Sequence, residues 1–221
     1  MKRALVLASA MFLALFAAAL VQASPITWAI DPVHSEVGFT IRHIWSKVPG
    51  KFTKFDGTIV YDPQNPAAAS VKAVIEAASI NTGNEMRDGD LKSGKFFDVA
   101  KYPTITFQSV KVTPATDGAL KVEGNLTMHG VTKPVTLDAK FLGAGPGMEG
   151  EPRSGFEATT TVNRKDFGIV WNKTLDQGQM LLGDDVTIRI NIEGVSEPEA
   201  PEPKAGAKAE ATPVKEGASK Q

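Results

Sequence analysis

The chain has 221 residues, with 24 basic and 25 acidic side chains and a formal net charge of −1. Because charges of both signs are interspersed, the composition excludes the basic stripe typical of nucleic-acid-binding proteins, and no nucleic-acid partner is expected. The chain contains no cysteine. A protein without disulfides is held together by its apolar core and its backbone hydrogen bonds.

The first 23 residues have the features of a signal peptide. Lys2 and Arg3 precede an apolar run, Leu5–Leu20, and the segment ends in small residues at Ala23. We therefore expect export, with cleavage after Ala23. The alternative is a retained membrane anchor, which the shortness of the apolar run disfavours.

Residues 196–221 are rich in Pro, Ala, Lys and Glu and contain no aromatic side chain. Val214 is their only large aliphatic residue, so the segment cannot bury enough apolar surface to offset the entropy of ordering it. The composition predicts a disordered tail, and a binding arm is the alternative. Residues 24–195 remain, which are enough for one domain with a sizeable core.

Residues 24–195 alternate between apolar and polar side chains with period two, as half-buried strands do. The pattern predicts eight strands, at Val33–Ile41, Phe55–Tyr61, Val71–Ser79, Pro103–Val112, Leu120–Met128, Val131–Phe141, Phe156–Val162 and Val186–Ile192. A shift of parity near Ser109 predicts a β-bulge. Eight short antiparallel strands with short links favour an all-β barrel or sandwich, and a closed barrel would leave no exposed edge.

The clearest strand pair is the hairpin formed by the fifth and sixth predicted strands. They are joined by His129 and Gly130, which suit a two-residue turn with positive φ angles. That turn places Met128 opposite Val131 and keeps the apolar side chains of both strands on one face. The register is therefore consistent along the whole hairpin.

Small residues occupy many positions on the predicted inner face. They are Gly38, Gly57, Ala73, Ala77, Gly124, Ala139 and Ala158. A tightly filled small barrel needs more bulk in its interior, so these residues either leave a cavity for an apolar guest or mark close approaches of strands at bends. The composition leaves both possibilities open.

A long charged connection, Arg87–Phe107, interrupts the strand pattern. It carries Phe96 and Phe97, which we expect to pack beneath it, and such a segment in a β protein forms a lid or a brace across one end. Arg87 in this connection and Lys133 on the apolar face of the hairpin are candidate contacts for an anionic head group. The alternative for Lys133 is that its ammonium group extends past the rim to solvent.

The sequence offers little for catalysis or metal binding. His34, His43 and His129 lack the close spacing of metal ligands, and no cysteine accompanies them. Asp184 and Asp185 follow a glycine, as in a turn, without further oxygen ligands at fixed spacing. No nucleophile motif or phosphate-binding glycine loop is present. We therefore expect a protein that is not an enzyme, with no catalytic residue, no metal and no resident cofactor.

Several spaced sequence blocks resemble the YceI-like family of periplasmic lipid- and polyisoprenoid-binding proteins. The blocks are WAIDPVHSEVGFTIRHI, GKFTKFDGTIVYD, IEAASINTGNEMRDGDLKSGKFFDVAKYPTITFQS, LTMHGVTKPVTL, GFEATTTVNRKDFGIVWN and GDDVTIRINIEG, and the resemblance covers nearly all of Trp28–Val195. It implies an elongated, lipocalin-like barrel of eight antiparallel strands with a short helical or loop connection across one end. It also implies a periplasmic protein whose long apolar tunnel holds an isoprenoid or fatty chain.

One position departs from the pattern of the family. Asp90 stands where the family usually has a histidine, directly before Leu91. A carboxylate at this position would make a nearby anionic head group less favourable, because like charges repel.

The pattern and the resemblance together predict a non-catalytic periplasmic carrier for a long-chain isoprenoid, of the polyprenyl or isoprenoid quinone type, or for a similar lipid. The residues expected to line its apolar cavity are Val37, Phe39, Ile59, Ile75, Phe107, Val122, Leu126, Leu137 and Phe156. The alternative is an accessory factor of a membrane redox system, or an envelope stress protein, that acts through a protein partner such as a membrane cytochrome. The sequence is compatible with a monomer and with a homodimer.

Overall fold

The computed structural model describes residues 25–196, so the predicted signal peptide and the predicted tail beyond Ser196 lie outside the described residues. The strand segments are β1 Ile26–Ile30, β2 Glu36–His43, β3 Ser46–Phe52, β4 Phe55–Tyr61, β5 Ser70–Glu76, β6 Ile80–Asn81, β7 Thr104–Pro114, β8 Ala119–Met128, β9 Val131–Pro146, β10 Pro152–Asn163 and β11 Leu182–Val195. Helix α1 spans Glu85–Lys92, and short 3-10 helices lie at Pro66–Ala68, Ala77–Ser79, Thr116–Gly118 and Arg164–Phe167. Within the described range, no helix has the length and hydropathy of a membrane span.

The strand segments form one closed antiparallel barrel. Hydrogen bonding follows the order β1, β4, β5, β7, β8, β9, β10 and β11, and β11 pairs with β1 to complete the ring. Next to this ring, β2 continues β1 along β11, while β3 and β6 continue β4 and β5. The barrel therefore consists of eight long strands, the number that the sequence predicted, and three of them are interrupted once.

Successive connections alternate between the two ends of the barrel. One end, which we call the mouth, carries the β2–β3 turn, α1, the β8–β9 turn and the β10–β11 connection. The other, which we call the closed end, carries the β4–β5, β7–β8 and β9–β10 connections and both ends of the described chain. The predicted helical connection across one end is therefore α1 with the loop that follows it.

The β8–β9 hairpin has the predicted register. Met128 pairs with Val131, and the turn residues His129 and Gly130 have φ angles of 52° and 75°. The predicted bulge is present too, because the register between β7 and β8 shifts just after Ser109. Both features follow from local rules, since a two-residue turn and a parity slip can be read directly from the alternation.

The predicted first strand, Val33–Ile41, begins too early. β2 starts at Glu36, and Asp31 instead forms a turn in which its carboxylate accepts the N–H of Val33 at 2.9 Å. The sequence pattern also misses β1 and β3. β1 has only five residues, and in β3 Pro49 and several polar residues interrupt the alternation.

Two buried clusters fill the two halves of the barrel. The cluster near the mouth contains Val37, Phe52, Ala77, Ile80, Phe96, Ile105, Leu126, Met128, Val162, Phe167 and Ile169. The cluster near the closed end contains Trp28, Ile59, Tyr61, Val112, Leu120, Val122, Leu137, Phe156 and Ile192. Phe107 packs against both clusters and therefore marks the boundary between the two halves.

Candidate functional site

The barrel contains a cavity of about 490 Å³. Its wall is formed mainly by aliphatic and aromatic side chains from both buried clusters. The structure places all nine predicted lining residues on this wall, namely Val37, Phe39, Ile59, Ile75, Phe107, Val122, Leu126, Leu137 and Phe156. Their contact with a ligand stays a prediction.

The cavity is elongated along the barrel axis. Leu120 near the closed end and Met128 near the mouth both line it, and both lie on β8. At about 3.3 Å per residue, and with the tilt of strands in a barrel, these positions are roughly 20 Å apart along the axis. This shape suits an extended chain better than a compact ring system.

The small residues predicted on the inner face have different roles. Ala73, Ala139 and Ala158 line the cavity and so widen it, Ala77 is buried in the cluster near the mouth, and a Cβ atom at Gly38 would point outward, 3.3 Å from the carboxylate of Glu36. Gly57 and Gly124 mark close approaches instead. A Cβ atom at Gly124 would lie 2.4 Å from Cζ of Phe107, and one at Gly57 would lie 2.4 Å from the carbonyl oxygen of Lys72. Some of the small residues therefore leave space in the cavity and others mark close approaches of strands, so both alternatives left open by composition occur.

Helix α1 covers the mouth without burying any of its own side chains. Asn84 caps the helix by accepting the N–H of Arg87 at 3.0 Å, and Asp88 accepts the N–H of Thr82 at 2.9 Å. Met86 and Arg87 line the cavity and are also exposed to solvent. The cavity therefore reaches solvent beside α1.

The two candidate head-group contacts lie in different places. Arg87 lines the cavity, but its Nε and Nη2 donate to Oγ1 and O of Thr82 at 2.8 and 2.9 Å, so much of the guanidinium is already engaged. Lys133 is exposed at the rim and lies outside the cavity lining, where its ammonium group extends to solvent. Asp90 and Lys95 line the mouth beside Arg87. A group held at the mouth therefore meets charges of both signs.

Phe96 and Phe97 pack beneath the connection, as expected from the sequence. The ring centroid of Phe96 lies 5.2 Å from that of Trp171, and Phe97 meets Phe52 edge-on at 5.8 Å. Phe96, Phe97 and Trp171 all line the cavity. These contacts attach the loop after α1 both to the barrel wall and to the β10–β11 connection.

Arg164 is a buried cation at the mouth that the sequence pattern did not reveal. Its side chain is 4% exposed, and each of its three nitrogens donates. Nη1 bonds the carbonyls of Ile169 and Trp171 at 2.7 and 2.8 Å, Nε bonds that of Gly183 at 2.9 Å, and Nη2 bonds Asp184 at 3.0 Å. Burial lowers the pKa of the guanidinium, and Asp184 opposes this effect. Arg164 therefore fixes the β10–β11 connection.

Three aromatic rings pack together at the closed end of the cavity. The ring centroid of Tyr61 lies 4.6 Å from that of Phe141 and 5.6 Å from that of Phe156, and the two Phe rings lie 5.3 Å apart. We call these three residues the aromatic seal. Burial, with a smaller effect from Asp62, raises the pKa of Tyr61, so its hydroxyl stays neutral at physiological pH.

A cluster of charged residues ties the strands together outside the aromatic seal. Asp31 lies 2.8 Å from Nδ1 of His34 and 3.0 Å from Nη1 of Arg153, which also pairs with Glu151 at 2.6 Å and with Glu193. We call these five residues the arginine cluster. The hydrogen bond with His34, and then that with Arg153, lowers the pKa of Asp31 from 3.8 to about 2. Asp31, His34 and Glu193 have ligand atoms within 4.8 Å of one another, but the guanidinium of Arg153 already lies against both carboxylates.

The three histidines lie in three different environments. His43 lines the mouth of the cavity, while Nδ1 of His129 bonds the carbonyl of Phe167 at 3.0 Å. His34 belongs to the arginine cluster at the other end of the barrel. They do not converge on one point, in keeping with their spacing in the sequence. A long apolar wall with charges confined mostly to one rim is suited to binding an amphipathic molecule.

Comparison with known proteins agrees with this architecture. The family model described as the YceI-like domain matches residues 28–194. Protein YceI of Salmonella arizonae is 42% identical over 165 residues, which are 74% of this chain and 83% of that protein. The solved YCEI protein of Campylobacter jejuni superposes with a TM-score of 0.61 at 30% identity, covering 71% of this chain and 90% of that one.

A more distant structure shares the fold alone. It is a polyisoprenoid-binding domain from Saccharophagus degradans that is implicated in plant cell wall breakdown. It superposes with a TM-score of 0.56 at 15% identity and covers 78% of this chain and 99% of that one. The closed barrel of eight long strands, the family match over residues 28–194 and the identity to the Salmonella protein lead to one conclusion. The chain belongs to the YceI-like family.

Proposed function

We propose that this protein is a periplasmic carrier or store for a long-chain isoprenoid, or for a similar lipid, which it binds by burial in the barrel without catalysis. The observation that carries the proposal is the elongated apolar cavity, open beside α1 and bounded by the aromatic seal at the other end. The structural neighbour from Saccharophagus degradans is described as a polyisoprenoid-binding domain. The predicted signal peptide supports export.

The distribution of charge along the cavity supports entry of the lipid with its apolar tail first. The far end of the cavity offers the rings of Tyr61 and Phe156, whereas the mouth offers Arg87, Asp90 and Lys95. An apolar tail is therefore buried against carbon atoms, and a polar head group stays near charged side chains and solvent. This arrangement avoids burying an unpaired polar group, which is costly.

The energetics favour a ligand that is defined by its chain rather than its head group. Each buried methylene contributes about 0.8 kcal/mol, so ten of them contribute about 8 kcal/mol. This exceeds the lower estimates for the cost of association, about 4 kcal/mol. Affinity should therefore rise with chain length until the cavity is full, and head-group specificity should be loose.

The decisive test is the lipid content of the protein recovered from its own host without detergent. Solvent extraction followed by mass spectrometry is expected to release a prenyl or acyl lipid in near-stoichiometric amount. Cell fractionation in the same experiment tests the periplasmic location. A protein that is empty after gentle purification and that also fails to take up an added polyprenyl lipid would contradict the carrier function.

A further inference from the structure

The turn between β2 and β3 presents a tryptophan to solvent. Ile44 and Trp45 form a two-residue loop between the paired residues His43 and Ser46, and Trp45 is 86% exposed. The other two tryptophans, Trp28 and Trp171, are buried and partly buried. An almost fully exposed indole is unusual, because tryptophan side chains are highly buried on average.

The position of Trp45 is fixed by its turn. Ile44 has a φ angle of 50°, which is strained for a β-branched residue, and glycine is the usual residue at such a position. The N–H of Ile44 donates to the carbonyl of Leu181 at 2.9 Å, and Nη1 of Arg42 donates to the carbonyl of Ile44 at 3.0 Å. The turn is therefore anchored to the β10–β11 connection, and it holds a strained conformation that directs Trp45 outward.

Trp45 is one of four exposed apolar residues on elements of the mouth. The others are Met86 on α1, and Val170 and Met180 in the β10–β11 connection. We call these four residues the apolar rim. Met86 also lines the cavity, as do His43 and Val48 on either side of the β2–β3 turn, so the apolar rim lies beside the opening.

The chain segment that carries Trp45 is basic. From Val37 to Phe55 the sequence contains four Lys or Arg residues and no acidic residue. Two of the four are paired, Lys51 with Glu36 and Lys54 with Glu76. The other two, Arg42 and Lys47, flank the turn and form no ion pair with any carboxylate in residues 25–196. A surface that combines an exposed indole with unpaired cations complements the interface of an anionic bilayer, where tryptophan rings settle and lipid phosphates attract Lys and Arg.

We propose that the apolar rim, with Arg42 and Lys47, docks the mouth of the barrel onto an anionic phospholipid membrane, with Trp45 entering the head-group region. This inference rests on the proposed function and deepens it, because it names the surface from which the lipid enters the cavity. Docking would place the opening beside α1 against the acyl chains, so that a lipid passes into the barrel without crossing water.

The test is co-sedimentation of the detergent-free protein with vesicles of phosphatidylcholine alone or of phosphatidylcholine mixed with phosphatidylglycerol. The protein is expected to bind the mixed vesicles more tightly, with a blue shift of tryptophan fluorescence. Trp45→Ser is expected to weaken this binding by about fivefold or more and to remove the blue shift. Lys47→Gln is expected to reduce the dependence of binding on salt.

The matched control moves the indole to the other end of the barrel. Met148 is fully exposed in the β9–β10 connection, so the double variant Trp45→Ser, Met148→Trp keeps the number of exposed indoles unchanged. It is expected to bind vesicles as weakly as Trp45→Ser. This control also removes any contribution from segments outside residues 25–196, since these are the same in every variant.

Lipid extraction from the same preparations separates this inference from the proposed function. Trp45-dependent vesicle binding by a protein that contains no lipid and takes up no added polyprenyl lipid would support docking and contradict the carrier. Equal vesicle binding by the wild type, Trp45→Ser and the double variant would overturn docking. That result would favour a protein partner for the apolar rim, and it would do so whether or not the protein contains lipid.

Discussion

The mouth and the closed end border the same cavity with different chemistry. At the closed end, the aromatic seal packs ring against ring, and the arginine cluster ties strands together outside it. At the mouth, α1 buries none of its side chains, and the adjoining β10–β11 connection depends on Arg164. One end is thus a packed wall, and the other is a cover attached at a few points.

This difference indicates where the barrel opens. Segments with few buried contacts open locally at a small fraction of the global free energy of unfolding, whereas packed aromatic clusters open only with the whole domain. The mouth is therefore the expected path for a ligand, and the closed end sets the length of chain that fits. Substitutions at five positions test this contrast.

The largest expected effect is on stability and concerns Arg164. Replacement by Met leaves the carbonyls of Ile169 and Trp171 without their donor and leaves Asp184 with Lys165 as its remaining partner. We expect the free energy of unfolding to fall by about 3 kcal/mol, measured by urea denaturation. Arg189 is exposed on β11, so Arg189→Met is the control and should be close to neutral. Equal stability of the two variants would contradict the role of Arg164 in holding the mouth.

The next effect concerns the path from the mouth to the closed end. Leu126 lines the mouth half of the cavity and Val122 the closed half. A tryptophan at Leu126 blocks the path, so we expect about tenfold weaker retention of all chains, or about 1.4 kcal/mol. A tryptophan at Val122 only shortens the cavity, so long chains should be lost and short ones kept.

The control for both variants is Asn125→Trp. Asn125 is exposed on the outer face of β8 between the two lining positions, so this variant adds the same bulk outside the cavity. Its lipid content, measured by extraction and mass spectrometry, should match that of the wild type. Circular dichroism checks that Leu126→Trp is folded. If the folded variant also keeps its full lipid content, the lipid does not pass along this part of the cavity.

The two ends also differ in how much of them the sequence predicts. Strand alternation places Val37, Phe39 and Leu126 on the cavity wall because a strand has only two faces. The arginine cluster could not be predicted this way, since Asp31 and Glu193 lie far apart in the chain and meet only when the barrel closes. Arg164 escaped notice for a related reason, because its burial depends on carbonyls 5, 7 and 19 residues later in the chain, which meet its guanidinium only when the β10–β11 connection folds. The alternation of side chains thus predicts the residues of the cavity wall. The interactions that hold each end of the barrel cannot be predicted in this way, because they form only when the chain has folded.

A smaller effect concerns the acid response of the closed end. The pKa of Asp31 is about 2 in the folded protein, below its ordinary value of 3.8. The unfolded chain therefore binds more protons, and the stabilisation by Asp31 is present above about pH 4 and is lost as the pH falls towards 2. Asp31→Asn should lower the free energy of unfolding at pH 7 by about 1 kcal/mol, because solvent screens such pairs.

The pH dependence of that difference is the sharper observation. The gap between the wild type and Asp31→Asn should narrow from pH 4 to pH 2, as thermal unfolding at several pH values would show. Asp176, exposed in the β10–β11 connection at the mouth, provides the control, and Asp176→Asn should leave the curve unchanged. A gap that stays constant down to pH 2 would mean that Asp31 does not act through its charge.

The smallest expected effect concerns head-group preference at the mouth. Asp90 lines the cavity and is exposed, so its charge repels an anionic head group only through screened interactions. Asp90→Asn removes the charge and keeps the shape. We therefore expect about threefold tighter binding of a fatty acid, with unchanged binding of the fatty alcohol of equal chain length. Displacement of a fluorescent probe measures both affinities.

Comparing the fatty acid with the fatty alcohol separates the effect of the head-group charge from the effect of the lipid chain, because the two chains are equal in length. Asp166 is exposed at the mouth but lies outside the cavity lining, so Asp166→Asn removes an equal charge without touching the opening. If it tightened fatty-acid binding as much as Asp90→Asn, the effect would come from net charge rather than from the opening. If only Asp90→Asn tightened fatty-acid binding, the carboxylate of the fatty acid would lie near Asp90. The head group would then rest at the mouth, since Asp90 lies at that end of the cavity.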